Sequence, residues 1–99
     1  MDVKKGTDTH QQVARDVTVL NKLGLHARPA ALFVKTANKF KCEVFVEKDS
    51  EIVNGKSIIG LMMLAAGPGS VLRIKAAGPD ASDALDALES LFKRKFEEE

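Results

Sequence analysis

The apolar residues change their repeat along the chain, and that succession limits the fold more than any other feature. In "CEVFVEK", Cys42, Val44 and Val46 fall on one face while Glu43, Phe45 and Glu47 fall on the other. In "SVLRIKA", Leu72, Ile74 and Ala76 alternate with Val71, Arg73 and Lys75. A strand that is apolar on one side only belongs to a sheet covered on one face. "VARDVTVL", Val13 to Leu20, is rich in β-branched residues and reads as a further strand. "EIVN" after the turn residues Asp49 and Ser50 reads as the return arm of a hairpin.

Between the strands the repeat becomes helical. Ala30, Phe33, Val34 and Ala37 form a stripe from Ala27 onward, with Lys35, Asn38 and Lys39 facing water. Ser57 is a good N-cap for a short helix whose inner face would be Ile58, Leu61, Met62 and Ala65. Gly60 weakens that helix, Gly67 is the expected residue after its end, and Pro68-Gly69 fits the centre of a type II turn. Asp80 is the expected N-cap of a last helix carrying Ala81, Ala84, Leu85, Leu88, Leu91 and Phe92 inward. The order β-α-β-β-α-β-α predicts an α+β open-faced sandwich, with an antiparallel sheet covered on one face by helices.

With 99 residues the chain makes one small domain. Residues 1–12 read as a polar tail that includes His10, and 13–97 as the domain. A formal charge of +1, from 15 basic and 14 acidic side chains, argues against nucleic-acid binding. No apolar run approaches the ~20 residues of a membrane span, so no membrane insertion is expected. The N-terminus lacks the apolar segment of a secretion signal, and a cytoplasmic location follows as the simplest reading. Cys42 is the only cysteine, so neither a disulfide within the chain nor a thiolate zinc site is expected. No metal or cofactor is expected.

"NKLGLHARPAA" places His26 and Arg28 where a helix begins. The first N–H groups of a helix have no intrahelical partner, and with the macrodipole they favour an anion such as phosphate. Pro29 suits that first turn because the N–H it removes would lack a partner there. Arg28 supplies a planar fork for phosphate oxygens. The positive helix end disfavours imidazolium and leaves a ring nitrogen of His26 able to attack, then stabilises the phosphoryl group transferred to it. No carboxylate, Asp16 included, is placed beside His26 by the sequence. Local physics alone leaves open that His26 caps the helix or decorates a loop, and that Arg28 is ordinary surface charge.

"GLHARPA" at 24–30 and "NGKSIIGLMML" at 54–64 resemble the two signatures of the HPr family, the histidine-containing phosphocarriers of the bacterial phosphoenolpyruvate:sugar phosphotransferase system. The resemblance implies a carrier rather than an enzyme. Enzyme I, charged by phosphoenolpyruvate, would pass a phosphoryl group to Nδ1 of His26, and a IIA protein or domain would receive it. Arg28 matches the family's active-site arginine, and Ser57 the serine modified by HPr kinase/phosphorylase. The implied fold is a four-stranded antiparallel sheet with three helices. The tail and the second Met of "MMLAAGPGS" depart from the family's usual pattern.

Ile58, Ile59, Met62 and Met63 cannot all face inward from a two-turn helix, so part of this set is expected to form a docking patch with Leu25 and Ala27. At least one of the two methionines is expected to fill the core. A monomer is the simplest state. A regulatory HPr-like binding module of nitrogen-branch or catabolite-control type, without a role in sugar uptake, is the alternative, and a non-catalytic ligand-binding domain a third reading.

Overall fold

The computed structural model describes residues 12–97. The strands are β1 (Gln12–Thr18), β2 (Glu43–Lys48), β3 (Glu51–Asn54) and β4 (Val71–Ala77). The helices are α1 (Ala27–Ala37), α2 (Ile58–Met63) and α3 (Ala81–Lys93), followed by a 3₁₀ turn at Lys95–Glu97. The four strands form one antiparallel sheet in the order β1-β4-β2-β3. This is the open-faced sandwich expected from the order of elements. Of the expected tail, residues 1–11, with His10, lie outside the described residues, while Gln12 opens β1 opposite Ala77.

The alternation in the strands sorts the two faces as read. Val44, Val46, Leu72, Ile74 and Ala76 are buried against the helices, joined by Val17 of β1. The open face carries charge pairs instead: Asp16 lies opposite Arg73, 2.9 Å from its Nε, and Glu47 meets Lys75 Nζ at 2.9 Å. The β2–β3 connection has only Asp49 and Ser50 between the paired Lys48 and Glu51, and both adopt positive φ. That is the left-handed pair a tight two-residue hairpin needs.

The helical stripes also hold. Ala30, Phe33 and Ala37 of α1 and all six apolar positions read on α3 are buried, with Val34 half-buried. Phe33 meets the Phe92 ring edge-on, and Phe96 packs on Phe92 from the other direction, centroids 4.8 Å apart. Phe96 reaches that position through three consecutive residues of positive φ, Lys95 to Glu97, which turn the chain back under α3. Burying a side chain of this size stabilises by about 1.5–3 kcal/mol, which offsets part of the cost of the left-handed backbone, about 1–2 kcal/mol per residue.

α2 departs from expectation. Its inward residues are Leu61 and Leu64, whereas Ile58, Met62 and Ala65 are exposed and neither methionine fills the core. Six residues are under two turns, and only one narrow stripe of so short a helix meets the sheet side. The residue that leaves the helix in left-handed geometry is Ala65, φ 51°, and not Gly67. The turn at Pro68-Gly69 is as read: Gly69 has φ 88° and the Ser70 N–H donates to the Gly67 carbonyl at 3.1 Å.

Asp80 occupies the N-cap of α3 but does not cap it. Its carboxylate accepts from the backbone N–H of Lys41 (2.8 Å) and of Cys42 (2.9 Å), stapling α3 to the entry of β2. The Lys41 bond, aided by that from Cys42, holds the Asp80 carboxyl below the usual carboxylate range. Burial pushes the Cys42 thiol up, and the adjacent carboxylate adds to it. Gly78 makes the approach possible. Its φ is 144°, and a Cβ there would lie 2.8 Å from Cys42 Cα.

Candidate functional site

The loop before α1 is tied down on both sides of His26. Asn21 is fully buried, and its Nδ2 donates to the Gly24 carbonyl at 2.7 Å. The Gly24 N–H returns to the Asn21 carbonyl at 3.2 Å, and the Leu25 N–H donates to the Ala66 carbonyl at 2.9 Å. Gly24 sits at φ 73°, and a Cβ there would meet the Ala66 oxygen at 2.4 Å, so glycine is required. Beyond His26, Pro29 and Ala30 are buried.

His26 itself is the N-cap of α1, with extended φ and ψ of −84° and −165°. Its carbonyl accepts the Ala30 N–H at 2.9 Å, but its ring makes no capping bond. The ring is half-buried, with Nε2 shielded from solvent. The first turn of α1 holds no acidic residue to offset its positive end. The N–H groups of Ala27 and Arg28 lie too early in the helix for an intrahelical acceptor. This is the local chemistry of an anion site.

The ring opens on a hollow of about 360 Å³ shared with Leu23, Leu25, Met62, Ala65, Ala66 and Gly67. Of the residues expected at the site, the hollow therefore brings His26, Leu25 and Met62 together. It does not include Arg28. That side chain is exposed and lines a separate cleft of about 330 Å³ with Leu32, Phe96 and Glu97. Among the described residues no acidic side chain pairs with its guanidinium. Asp16, bound to Arg73 on the open face of the sheet, stands apart from both clefts.

Ser57 caps α2 as expected, its Oγ accepting the Gly60 N–H at 2.9 Å. Lys56 beside it donates from Nζ to the Phe40 carbonyl at 2.8 Å, joining the start of α2 to the end of α1. Ile59 and Met63 are 73% and 66% exposed, and Ile58 and Met62 are about 40% exposed. Ala27 is exposed as well. Leu25 is a correction: at 4% exposure it belongs to the core and anchors the loop instead of offering surface. The exposed leucine beside the site is Leu23, at 74%. Sequence reasoning missed it because one leucine between Lys22 and Gly24 belongs to no period. Ala65 to Gly67 were missed for a related reason: they reach the hollow through the crossover from α2 to β4, a tertiary contact.

The chain matches the PTS-HPr family model, "PTS HPr component phosphorylation site", over residues 13–94. It is 51% identical to the phosphocarrier protein HPr of Treponema pallidum over 87 residues, covering 88% of this chain and 99% of that one. The crystal structure of HPr from Thermoanaerobacter tengcongensis superposes with a TM-score of 0.85 at 48% identity, covering 88% and 98% of the two chains. Crh of Bacillus subtilis, described as a swapped dimer, superposes with a TM-score of 0.69 at 47% identity, covering 84% and 95%. The fold is that of a small phosphoryl-carrier domain, and the chain belongs to the HPr family. It is thus a phosphocarrier of the phosphotransferase system and not a catalytic enzyme. No helix among the described residues is long and apolar enough to cross a membrane.

Proposed function

We propose that His26 is the phosphoacceptor, taking its phosphoryl group from enzyme I and delivering it to IIA proteins or domains. The observation that carries this reading is the placement of His26: an N-cap whose ring does not cap, half-buried beside a hollow, at a helix start whose first turn holds no acidic residue. With Nε2 shielded, the attacking atom is Nδ1. Its lone pair attacks phosphorus, the bond to the donor breaks with its electrons returning to the donor, and an N–P bond forms. The Ala27 and Arg28 N–H groups meet the phosphoryl oxygens and stabilise the product. The Arg28 side chain swings from its cleft to add a charge-assisted contact, for which its length and exposure leave it free.

Ile58, Ile59, Met62 and Met63, with Ala27 and Leu23, are the docking surface for these partners. The thioether side chains adapt to more than one of them. Phosphorylation of Ser57 by an HPr kinase/phosphorylase adds nearly two negative charges at the edge of that surface. It weakens docking of enzyme I while leaving the fold intact. The carrier acts as a cytoplasmic monomer, and a dimeric state like that described for Crh is checked by sedimentation at working concentration.

The test is incubation with phosphoenolpyruvate and enzyme I, followed by recovery of an acid-labile, alkali-stable phosphate mapped to His26. Its absence overturns the reading. The similarity to Crh supports a second reading, a regulatory module acting through Ser57. A label on Ser57 from ATP and kinase, with none on His26 from enzyme I, selects it.

A further inference from the structure

We infer that Asn21 is a positioning residue for His26: its buried amide fixes the Gly24–Leu25 peptide, and with it the loop that holds the imidazole against the hollow. The inference rests on His26 being the phosphoacceptor. The Gly24 carbonyl and the Leu25 N–H belong to one peptide unit. The structure holds both ends of it, the oxygen by Asn21 Nδ2 at 2.7 Å and the nitrogen by the Ala66 carbonyl at 2.9 Å. Asn21 is the fully buried polar residue of the described chain, so its amide reaches Gly24 from inside and turns that carbonyl inward.

Without the amide, glycine at position 24 offers little steric resistance to a rotation of this peptide. Rotation would place the Gly24 oxygen where the Leu25 N–H now lies, against the Ala66 oxygen. Two acceptors would then face each other at the wall of the hollow lined by Leu25, His26 and Ala66. Either the loop moves away from Ala66, carrying the imidazole with it, or a carbonyl dipole opposes the incoming phosphoryl group. Both lower the rate of transfer. Ile58, Ile59, Met62 and Met63 belong to α2 and its end and stay in place, and Leu23 is the docking residue that moves with the loop, so docking changes less than transfer.

The experiment compares the full chain with Asn21→Ala and Asn21→Ser in phosphotransfer from charged enzyme I, with amide exchange at Leu25 followed by NMR. A displacement of reacting groups of about 1 Å costs up to ~100-fold, so kcat for Asn21→Ala falls about ten- to a hundredfold while KM for enzyme I stays within twofold. The Leu25 amide exchanges faster than the amides of β2 and β4. Asn21→Ser, which keeps a donor, recovers part of kcat, and it supplies the same comparison if the alanine variant does not fold. An unchanged kcat in a folded variant whose Leu25 amide exchanges faster overturns the inference. So does a loss confined to KM, or exchange accelerated equally across the sheet. If the wild-type chain itself takes no phosphate on His26, the phosphocarrier reading has failed, and Leu25 exchange still reports whether Asn21 locks the peptide.

Discussion

The first and last helices both begin on a residue whose side chain does not cap them, and the two side chains are used in opposite ways. At α3, Asp80 turns its carboxylate onto the Lys41 and Cys42 amides, and Asp83 in the first turn offsets the helix dipole. At α1, the His26 ring makes no capping bond, and the first turn contributes no acid. One start is matched internally and holds the fold together. The other has no acid in its first turn beside a half-buried imidazole, the arrangement on which the proposed phosphoryl site rests. Ser57, at the start of α2, does the ordinary capping job that neither of them does.

The comparison predicts a double dissociation. His26→Ala abolishes phosphate acceptance while its denaturation midpoint stays within error of wild type. Unfolding of that variant would return His26 to a structural role. Asp80→Asn does the reverse: its thermal midpoint drops clearly, and the folded protein still accepts phosphate. Phosphotransfer lost in proportion at both sites would erase the distinction.

The pH dependence of Asp80 sharpens it. The folded carboxyl lies below its unfolded value, so its stabilisation is fully present above the unfolded value of about 3.9 and fades as pH falls through the lower folded one. The stability gap between wild type and Asp80→Asn should thus be constant from pH 5 to 7 and shrink in more acidic solution. Asp16, held low by Arg73, titrates in the same sense, so urea melts of Asp80→Asn and Asp16→Asn across pH 2–7 separate the two contributions. A gap that does not narrow in acid would place the role of Asp80 elsewhere.

Smaller effects concern α2. Ser57→Ala loses the bond to Gly60 and costs about 1 kcal/mol by urea denaturation. Ser57→Asp keeps a capping oxygen, so it stays near wild-type stability while slowing phosphorylation by enzyme I. Equal rates would remove Ser57 from control of docking. Ala65→Gly relieves a left-handed alanine and raises stability by about 0.5–1 kcal/mol, net of the extra freedom glycine has when unfolded. A destabilised variant would show that the Ala65 methyl in the His26 hollow matters more than the backbone.

Legibility followed the length of the pattern. Val44 and Val46, Leu72 and Ile74, and the stripe from Ala81 to Phe92 were readable because several repeats agreed on one face. α2 was misread at Ile58, Met62 and Ala65 because six residues cannot show a period, and Gly67 drew attention that belonged to Ala65. Leu25 stands alone beside polar His26, and no repeat marks it as a core residue. Its burial depends on the Ala66 carbonyl, which is remote in sequence.

By itself the sequence determined the order of strands and helices, the face each one buries, and the unusual presence of His26 and Arg28 at a helix start. These follow from periodicity and local backbone preference, which act over a few residues. Only the tertiary structure decided that Asn21 and Ala66 hold the same peptide, that Asp80 staples rather than caps, and that Met62 borders the hollow of His26 while Arg28 lines another. Those outcomes depend on which distant amides and carbonyls meet once the sheet and helices have packed, and hydrogen bonds between distant segments leave no repeat along the chain.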